Sequence, residues 1–371
     1  MDSRAALPLN LLGQRGSSFV EFSFLHNLSK LPMEFLWPKD ELVSADKELM
    51  EPEVDLEGFF KGDEEETWKA AEMIKAACLN HGFFQVINHG VDLNLISAAH
   101  RQIDLFFSLP TTEKIRARRM PGSLSGYSGA HADRYSSKLP WKETLSFGYH
   151  ENSSDPVVLD FFKITLGEDF VQTGMVYQKY CEAMKNLSLS IMELLAISLG
   201  VDRHHYKKFF QDGCSMMRCN FYPKCQEPDL ALGTGPHSDP TSLTILHQDH
   251  VEGLQVFANN MWQTVKPRHG ALVINIGDTF MALSNGVYKS CLHRAVVNKY
   301  EARKSLAFFL CPREDKVVTP PKDLVSREGK RIYPDFTWSD LLHYTQKYHR
   351  ADNATLQNFI KWLLSSQSGK V

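Results

Sequence analysis

Apolar residues recur at helical spacing through much of the first 200 positions and at a spacing of two from about residue 215 onward. Asp63-Glu64-Glu65-Glu66 puts acids in a first helical turn, and Trp68, Ala71, Ile74, Ala77 and Cys78 follow near one face before Gly82. Phe83–Ile87 then reads as a short strand closed by Asn88-His89-Gly90. Further helices are expected over Leu93–Phe107 and over 174–199, the second with Met184, Leu187, Ile191, Leu194 and Leu195 as its stripe. Between them, 119–140 is rich in Gly, Ser and Pro and reads as a loop lying over something. Short strand runs are expected at 215–222, 243–247, 253–257, 262–266, 271–276, 292–297 and 303–311. Two helices, near 338–348 and 353–364, finish the chain, while 31–38 reads as an extended segment over another surface. The pattern therefore predicts a mixed α and β protein whose core is a double-stranded β-helix, or jelly roll, with flanking N-terminal and C-terminal helices. Its expected divisions are an extension at 1–50, an N-terminal region at 51–160, scaffold helices at 161–212, the jelly-roll core at 213–313 and C-terminal helices at 314–371.

Composition narrows the partners. With 371 residues, 43% hydrophobic and 23% charged, the chain can bury a large core. Its net charge of −3 and the lack of a basic tract argue against nucleic acid. Seven scattered cysteines without a C-x-x-C fit neither a disulfide framework nor a structural zinc site. No basic stretch precedes a short apolar run, and no window approaches 18 apolar residues, so the expectation is a cytoplasmic protein with no membrane association. Nothing in the sequence specifies an oligomeric state.

The chemistry starts with H-x-[DE], which on extended backbone places two metal ligands on the same face. Four copies begin at His131, His237, His247 and His250. His237-Ser238-Asp239 is framed by Pro236 and Pro240, which preset extended backbone, and follows a Gly233-Thr234-Gly235 turn. His247-Gln248-Asp249, at the end of a strand, remains its rival, and either could be free of metal. A third ligand should come from another strand, and His293 is the later histidine placed on one.

Alternation puts Arg303, Ser305, Ala307 and Phe309 on one face of their strand, and Arg218, Asn220 and Tyr222 on one face of another. Two polar walls facing each other are costly to bury without partners, and an Arg fork beside a hydroxyl suits a bidentate carboxylate. Arg303 could instead pair with a surface acid.

At these residues the sequence resembles the plant Fe(II)/2-oxoglutarate-dependent dioxygenases. The resemblance rests on Asn220-Phe221-Tyr222-Pro223, His237-x-Asp239, His293, Arg303-x-Ser305 and the run from Gly82 to Gly90. Within that family, Leu139-Pro140-Trp141-Lys142-Glu143-Thr144, the run from Gly233 to Asp249, Glu34 to Pro38 and Tyr333 to Leu342 resemble the gibberellin 20-oxidases. Phe221 stands where the family usually has a second tyrosine. The resemblance implies Fe(II) held by His237, Asp239 and His293, and 2-oxoglutarate held through Arg303, Ser305, Tyr222 and Asn220. It also implies O2 as oxidant and ascorbate as reductant. The implied partner is a gibberellin, a rigid apolar acid, with Trp141, Lys142, Glu143, Arg134 and Arg218 as candidate contacts. Carbon 20 would be oxidised stepwise until it is lost, leaving nineteen-carbon products. A family member acting at another gibberellin position or on a flavonoid, and a non-catalytic binding module, are the alternatives.

Overall fold

The computed structural model describes residues 22, 30–51, 53–132, 138–151, 156–348 and 354–368. The N-terminal half runs β1 (Lys47–Glu48), β2 (Glu53–Asp55), α1 (Glu57–Lys61), α2 (Glu64–Asn80), β3 (Phe83–Ile87), α3 (Leu93–Phe107), α4 (Thr111–Lys114), β4 (Gly126–Gly129), β5 (Glu143–Tyr149), α5 (Val157–Leu166), α6 (Val171–Leu199) and α7 (His205–Phe210). Strands then dominate: β6 (Ser215–Tyr222), β7 (Leu232–His237), β8 (Leu243–Gln248), β9 (Leu254–Ala258), β10 (Met261–Thr264) and β11 (Leu272–Ile276). After α8 (Asp278–Leu283) come β12 (His293–Val296), β13 (Arg303–Leu310), β14 (Val317–Val318), α9 (Lys322–Glu328), β15 (Phe336–Thr337), α10 (Trp338–Tyr348) and α11 (Thr355–Ser368).

The strands form a jelly roll. One sheet has the order β1-β10-β9-β12-β7; the other has the order β2-β3-β11-β8-β13-β6-β5-β4. The larger sheet turns one face to the helices and the other to the smaller sheet. On its helix side, Leu306, Phe308 and Leu310 of β13 join Tyr177, Met184 and Ile191 of α6 in the main core, which supplies most of the burial that drives folding. Between the sheets a smaller apolar group, including Phe83, Leu254, Val256 and Val273, fills one end.

Local sequence explains the framing elements. Asp63 caps α2 by accepting from the Glu66 amide at 3.1 Å, and Gly200 ends α6 in the left-handed conformation that only glycine adopts without strain. Three readings need correction. Trp68 lies outside the buried stripe of α2 and is 54% exposed, because Thr67 and Ala70 occupy that face instead. The Gly-rich 119–140 stretch contains the buried edge strand β4, paired with β5. Gly233-Thr234-Gly235 is not a turn but the middle of β7. Its glycines answer to close approach: a Cβ on Gly233 would sit 2.6 Å from the Tyr222 ring, and one on Gly235 would sit 2.2 Å from the Trp37 ring.

The segment around 31–43 is a strap over the outside of β7. Leu31 N donates to Glu227 at 2.8 Å, Trp37 N donates to Leu230 O at 3.0 Å, and Leu139 N donates to Glu34 O at 2.7 Å. Phe35 is fully buried against Trp141, with ring centroids 4.9 Å apart. The buried Arg294 guanidinium ties down the far end by donating to the carbonyls of Glu41, at 2.9 Å, and Val43.

Candidate metal centre and its cavity

Strands β7 and β12 run antiparallel with His237 directly opposite His293, so strand pairing alone brings the two imidazoles together, 4.2 Å between ring centroids. Asp239 follows two residues after His237, and one donor atom from each of the three side chains falls within a 4.8 Å cluster. The Nε2 atoms of His237 and His293 stand 3.7 and 4.0 Å from the two Asp239 oxygens. Both Nδ1 atoms face backbone carbonyls, Gly235 O at 2.9 Å and Cys291 O at 3.1 Å. Each Nδ1–H therefore donates to its carbonyl, which leaves the Nε2 lone pair aimed inward. Thr244 donates from Oγ1 to Asp239 Oδ2 at 2.6 Å.

The electrostatics favour a cation at this point. Burial and the neighbouring His293 hold the His237 pKa down to about 3, against the pull of Asp239, so the ring is neutral. Burial alone would raise Asp239, but His293, His237, the Thr244 hydroxyl and Arg218 together keep it below the usual carboxylate value. Two imidazoles, each oriented through its Nδ1, and one buried carboxylate are the donor set of a three-ligand non-haem iron(II) site with open positions. His247, the rival, is otherwise engaged: its Nδ1 lies 2.7 Å from His100 Nε2 in the interface between β8 and α3. His131 is buried against Arg119, with Nδ1 3.0 Å from Nη2, and His250 is exposed beside Glu301.

These ligands open onto a cavity of about 260 Å³ between the two sheets. Strands β6 and β13 pair with Arg303 opposite Tyr222 and Ser305 opposite Asn220, so all four expected carboxylate contacts meet at one end. Arg303 is 2% exposed, lies over the Tyr222 ring at 5.2 Å and donates from Nη2 to Gln248 Oε1 at 3.0 Å; its buried Nε has no hydrogen-bond partner. Asn220 donates to Ser305 Oγ at 3.3 Å. A buried guanidinium with an unsatisfied N–H, opening onto a cavity, fits an anionic group such as the distal carboxylate of 2-oxoglutarate.

The expected substrate contacts divide. Lys142 and Arg218 line the cavity. Lys142 donates to Thr234 Oγ1 at 3.0 Å, and burial, then Arg218 and Arg119, hold its pKa well below the ordinary lysine value. Arg218 donates from Nε to Ser146 Oγ at 3.0 Å and lies over Phe309 at 5.4 Å. Trp141 and Glu143 do not line the cavity. Trp141 anchors the strap and donates from Nε1 to Pro223 O at 3.1 Å. Glu143 turns to the other face of β5, where it accepts from Lys114 at 2.7 Å and from the Tyr127 hydroxyl. Arg134 lies outside the described residues. Sequence reasoning missed Thr244, Gln248, Asn275, Met216 and Trp338, all of which hold or line the site except Gln248, which positions Arg303. Alternation along 243–248 could have found the first two.

Comparison with known proteins follows the same lines. The 2OG-Fe(II) oxygenase superfamily model matches residues 213–312, and that of the non-haem dioxygenase in morphine synthesis N-terminal region matches 52–164. Gibberellin 20 oxidase 2 of Oryza sativa subsp. indica is 58% identical over 335 residues, spanning 90% of this chain and 85% of that protein. Gibberellin 20 oxidase 2 of Arabidopsis thaliana is 54% identical over 348 residues, covering 93% and 91%. Among solved structures, JOX2 in complex with 2OG, Fe and JA superposes with a TM-score of 0.81 at 33% identity, covering 93% of this chain and 98% of that one.

Proposed function

The chain belongs to the 2OG-Fe(II) oxygenase superfamily, and from that premise we propose that it oxidises carbon 20 of twenty-carbon gibberellins. The reaction runs stepwise from methyl through alcohol to aldehyde, then removes that carbon to give nineteen-carbon gibberellins. The observation that carries this reading is the identity of 50–58% to gibberellin 20 oxidases across most of both chains. In the structure it is supported by the cavity that joins His237, Asp239 and His293 to Arg303.

Bound here, iron(II) and 2-oxoglutarate supply an oxidant made from O2, with succinate and CO2 as by-products. His237 and His293 present fixed Nε2 lone pairs because their Nδ1–H groups are tied to Gly235 and Cys291 carbonyls. Asp239 completes the set and is oriented by Thr244. Arg303, placed by Gln248 and flanked by Ser305 and Tyr222, holds the distal carboxylate. Phe309, Met216, Leu124 and Trp338 give the remaining wall an apolar surface that suits a rigid hydrocarbon skeleton and excludes water. Arg218 and the basic group of Lys142 are the side chains available there for substrate carboxylates. Seven free thiols suit a cytosolic location, and among the described residues no helix is long and apolar enough to cross a membrane.

The test is anaerobic loading with iron(II) and 2-oxoglutarate, then addition of O2 and a twenty-carbon gibberellin, with succinate and gibberellins followed by mass spectrometry. Aldehyde and nineteen-carbon products, absent in His237→Ala, are expected. Succinate formed without gibberellin oxidation would retain the oxygenase chemistry and overturn the substrate. Neither product from folded, iron-loaded protein would favour a binding module.

A further inference from the structure

The registers of the larger sheet sort its cavity-facing side chains into rows. Arg303 and Tyr222 form the first row, and Gln248, Ser305 and Asn220 the second. Leu246, Ala307 and Arg218 form the third, followed by Asn275, Thr244, Phe309 and Met216 in the fourth. Six residues of β13 separate Arg303 from Phe309, about 20 Å at roughly 3.3 Å per residue. The fourth row therefore lies at the opposite end of the cavity from Arg303, beside the metal ligands, since its Thr244 donates to Asp239.

Asn275 is the anomaly in that row. Phe309 and Met216 are apolar, and the Thr244 hydroxyl is engaged with Asp239. Asn275 is 1% exposed, its side chain lines the cavity, and its Oδ1 has no hydrogen-bond partner. It stands directly opposite Thr244 on the neighbouring strand, the residue whose hydroxyl donates to the carboxylate ligand. A buried amide oxygen with no donor is destabilising unless something that enters the cavity donates to it. A carboxamide both accepts and donates. A methyl group offers the Oδ1 atom nothing and an alcohol can donate to it, whereas an aldehyde has no proton to give and can only accept from the amide nitrogen.

Resting on the proposed carbon-20 oxidation, we propose that Asn275 is the hydrogen-bonding partner of the oxygen placed on that carbon, positioning the partly oxidised substrate for the next round. The amide oxygen gains its donor only when carbon 20 carries a hydroxyl. Its contribution is therefore made to the alcohol intermediate and not to the starting methyl compound.

The test compares the parent enzyme with Asn275→Leu, which keeps the volume and removes the amide, and with Asn275→Ala should the leucine variant fail to fold. Binding of the methyl substrate and of its carbon-20 alcohol is measured calorimetrically on iron- and 2-oxoglutarate-loaded enzyme without oxygen. Product ratios are then read after oxygen is admitted. The variant is expected to lose about tenfold more affinity for the alcohol than for the methyl compound, and the ratio of alcohol to later products should rise at least fivefold. Equal losses for the two ligands, or an unchanged product ratio, would overturn the assignment and leave water or the gibberellin skeleton as the amide's partner. If the parent forms no carbon-20 products from any twenty-carbon gibberellin but still binds them, the proposed function fails, and this inference with it. That outcome is read on the parent, before any variant is compared.

Discussion

Thr244 never needs to touch a metal to govern one. Its hydroxyl donates to Asp239 Oδ2, fixing which carboxylate oxygen is left to coordinate. Thr244→Val has nearly the same shape and removes only that donor. Iron(II) affinity, measured by anaerobic titration against a competing chelator, should fall about 10- to 100-fold, while Thr244→Ser should keep most of it. In sequence, flanking prolines favoured His237-x-Asp239 over its rival at His247 and period two placed Arg303 and Ser305 on one face, while the full triad came from the family resemblance. Asn275 was not legible, since one polar residue in Leu-Val-Ile-Asn-Ile reads as a lapse in a core strand until the cavity shows where it points. Nor was the outward turn of Trp141 and Glu143. Adjacent residues of a strand face opposite ways, and which of them faces in depends on pairing with β6 and on the strap, neither of which local sequence encodes.

At the scale of elements, α3 meets the larger sheet through a pair of histidines. His100 Nε2 and His247 Nδ1 share one hydrogen bond, so at most one of the two facing nitrogens carries a proton. Burial, then the neighbouring His247, presses the His100 pKa down to about 3; burial, then His89, presses His247 to about 4. Both folded values lie below the unfolded value of about 6.5, so the unfolded chain binds more protons as the pH falls. Their stability is fully present above about pH 6.5 and is lost progressively toward pH 4 and 3. Between pH 6.5 and 5 each histidine should contribute a loss of up to about 2 kcal/mol, read as a falling Tm of the metal-free protein. His100→Leu/His247→Leu should flatten that slope, and an unchanged slope would exonerate the pair. The helix bounds here, Leu93–Phe107, were legible because an amphipathic period needs no tertiary information. Strand β7 was hidden because Gly-Thr-Gly-Pro has no hydrophobic period, its two glycines being required by the aromatic rings that pack on them.

Across the whole molecule, the strap joins residues 31–43 to partners far along the chain, as far as 253 residues later at Arg294. A chain lacking 1–45 exposes Phe35's partner Trp141 and strips the buried Arg294 of two carbonyl acceptors. It should be less stable than a chain lacking 1–21 by about 3 kcal/mol or more in urea denaturation, because a buried charge is left without partners. The jelly-roll architecture was legible from strand count and spacing. The strap's destination was not, because its contacts are set by groups far along the chain and not by any period of its own.

Those separations also set a clock. Leu31 waits for Glu227, 196 residues on, and Glu41 waits for Arg294, 253 residues on. At about 5–20 residues per second of synthesis, that second delay is roughly 10 to 50 s, during which an apolar segment has no seat. Residues made well before the barrel strands are thus among the last to dock, and the strand that carries His237 is sealed from outside only when the barrel is nearly complete. A half-made chain cannot close its own site.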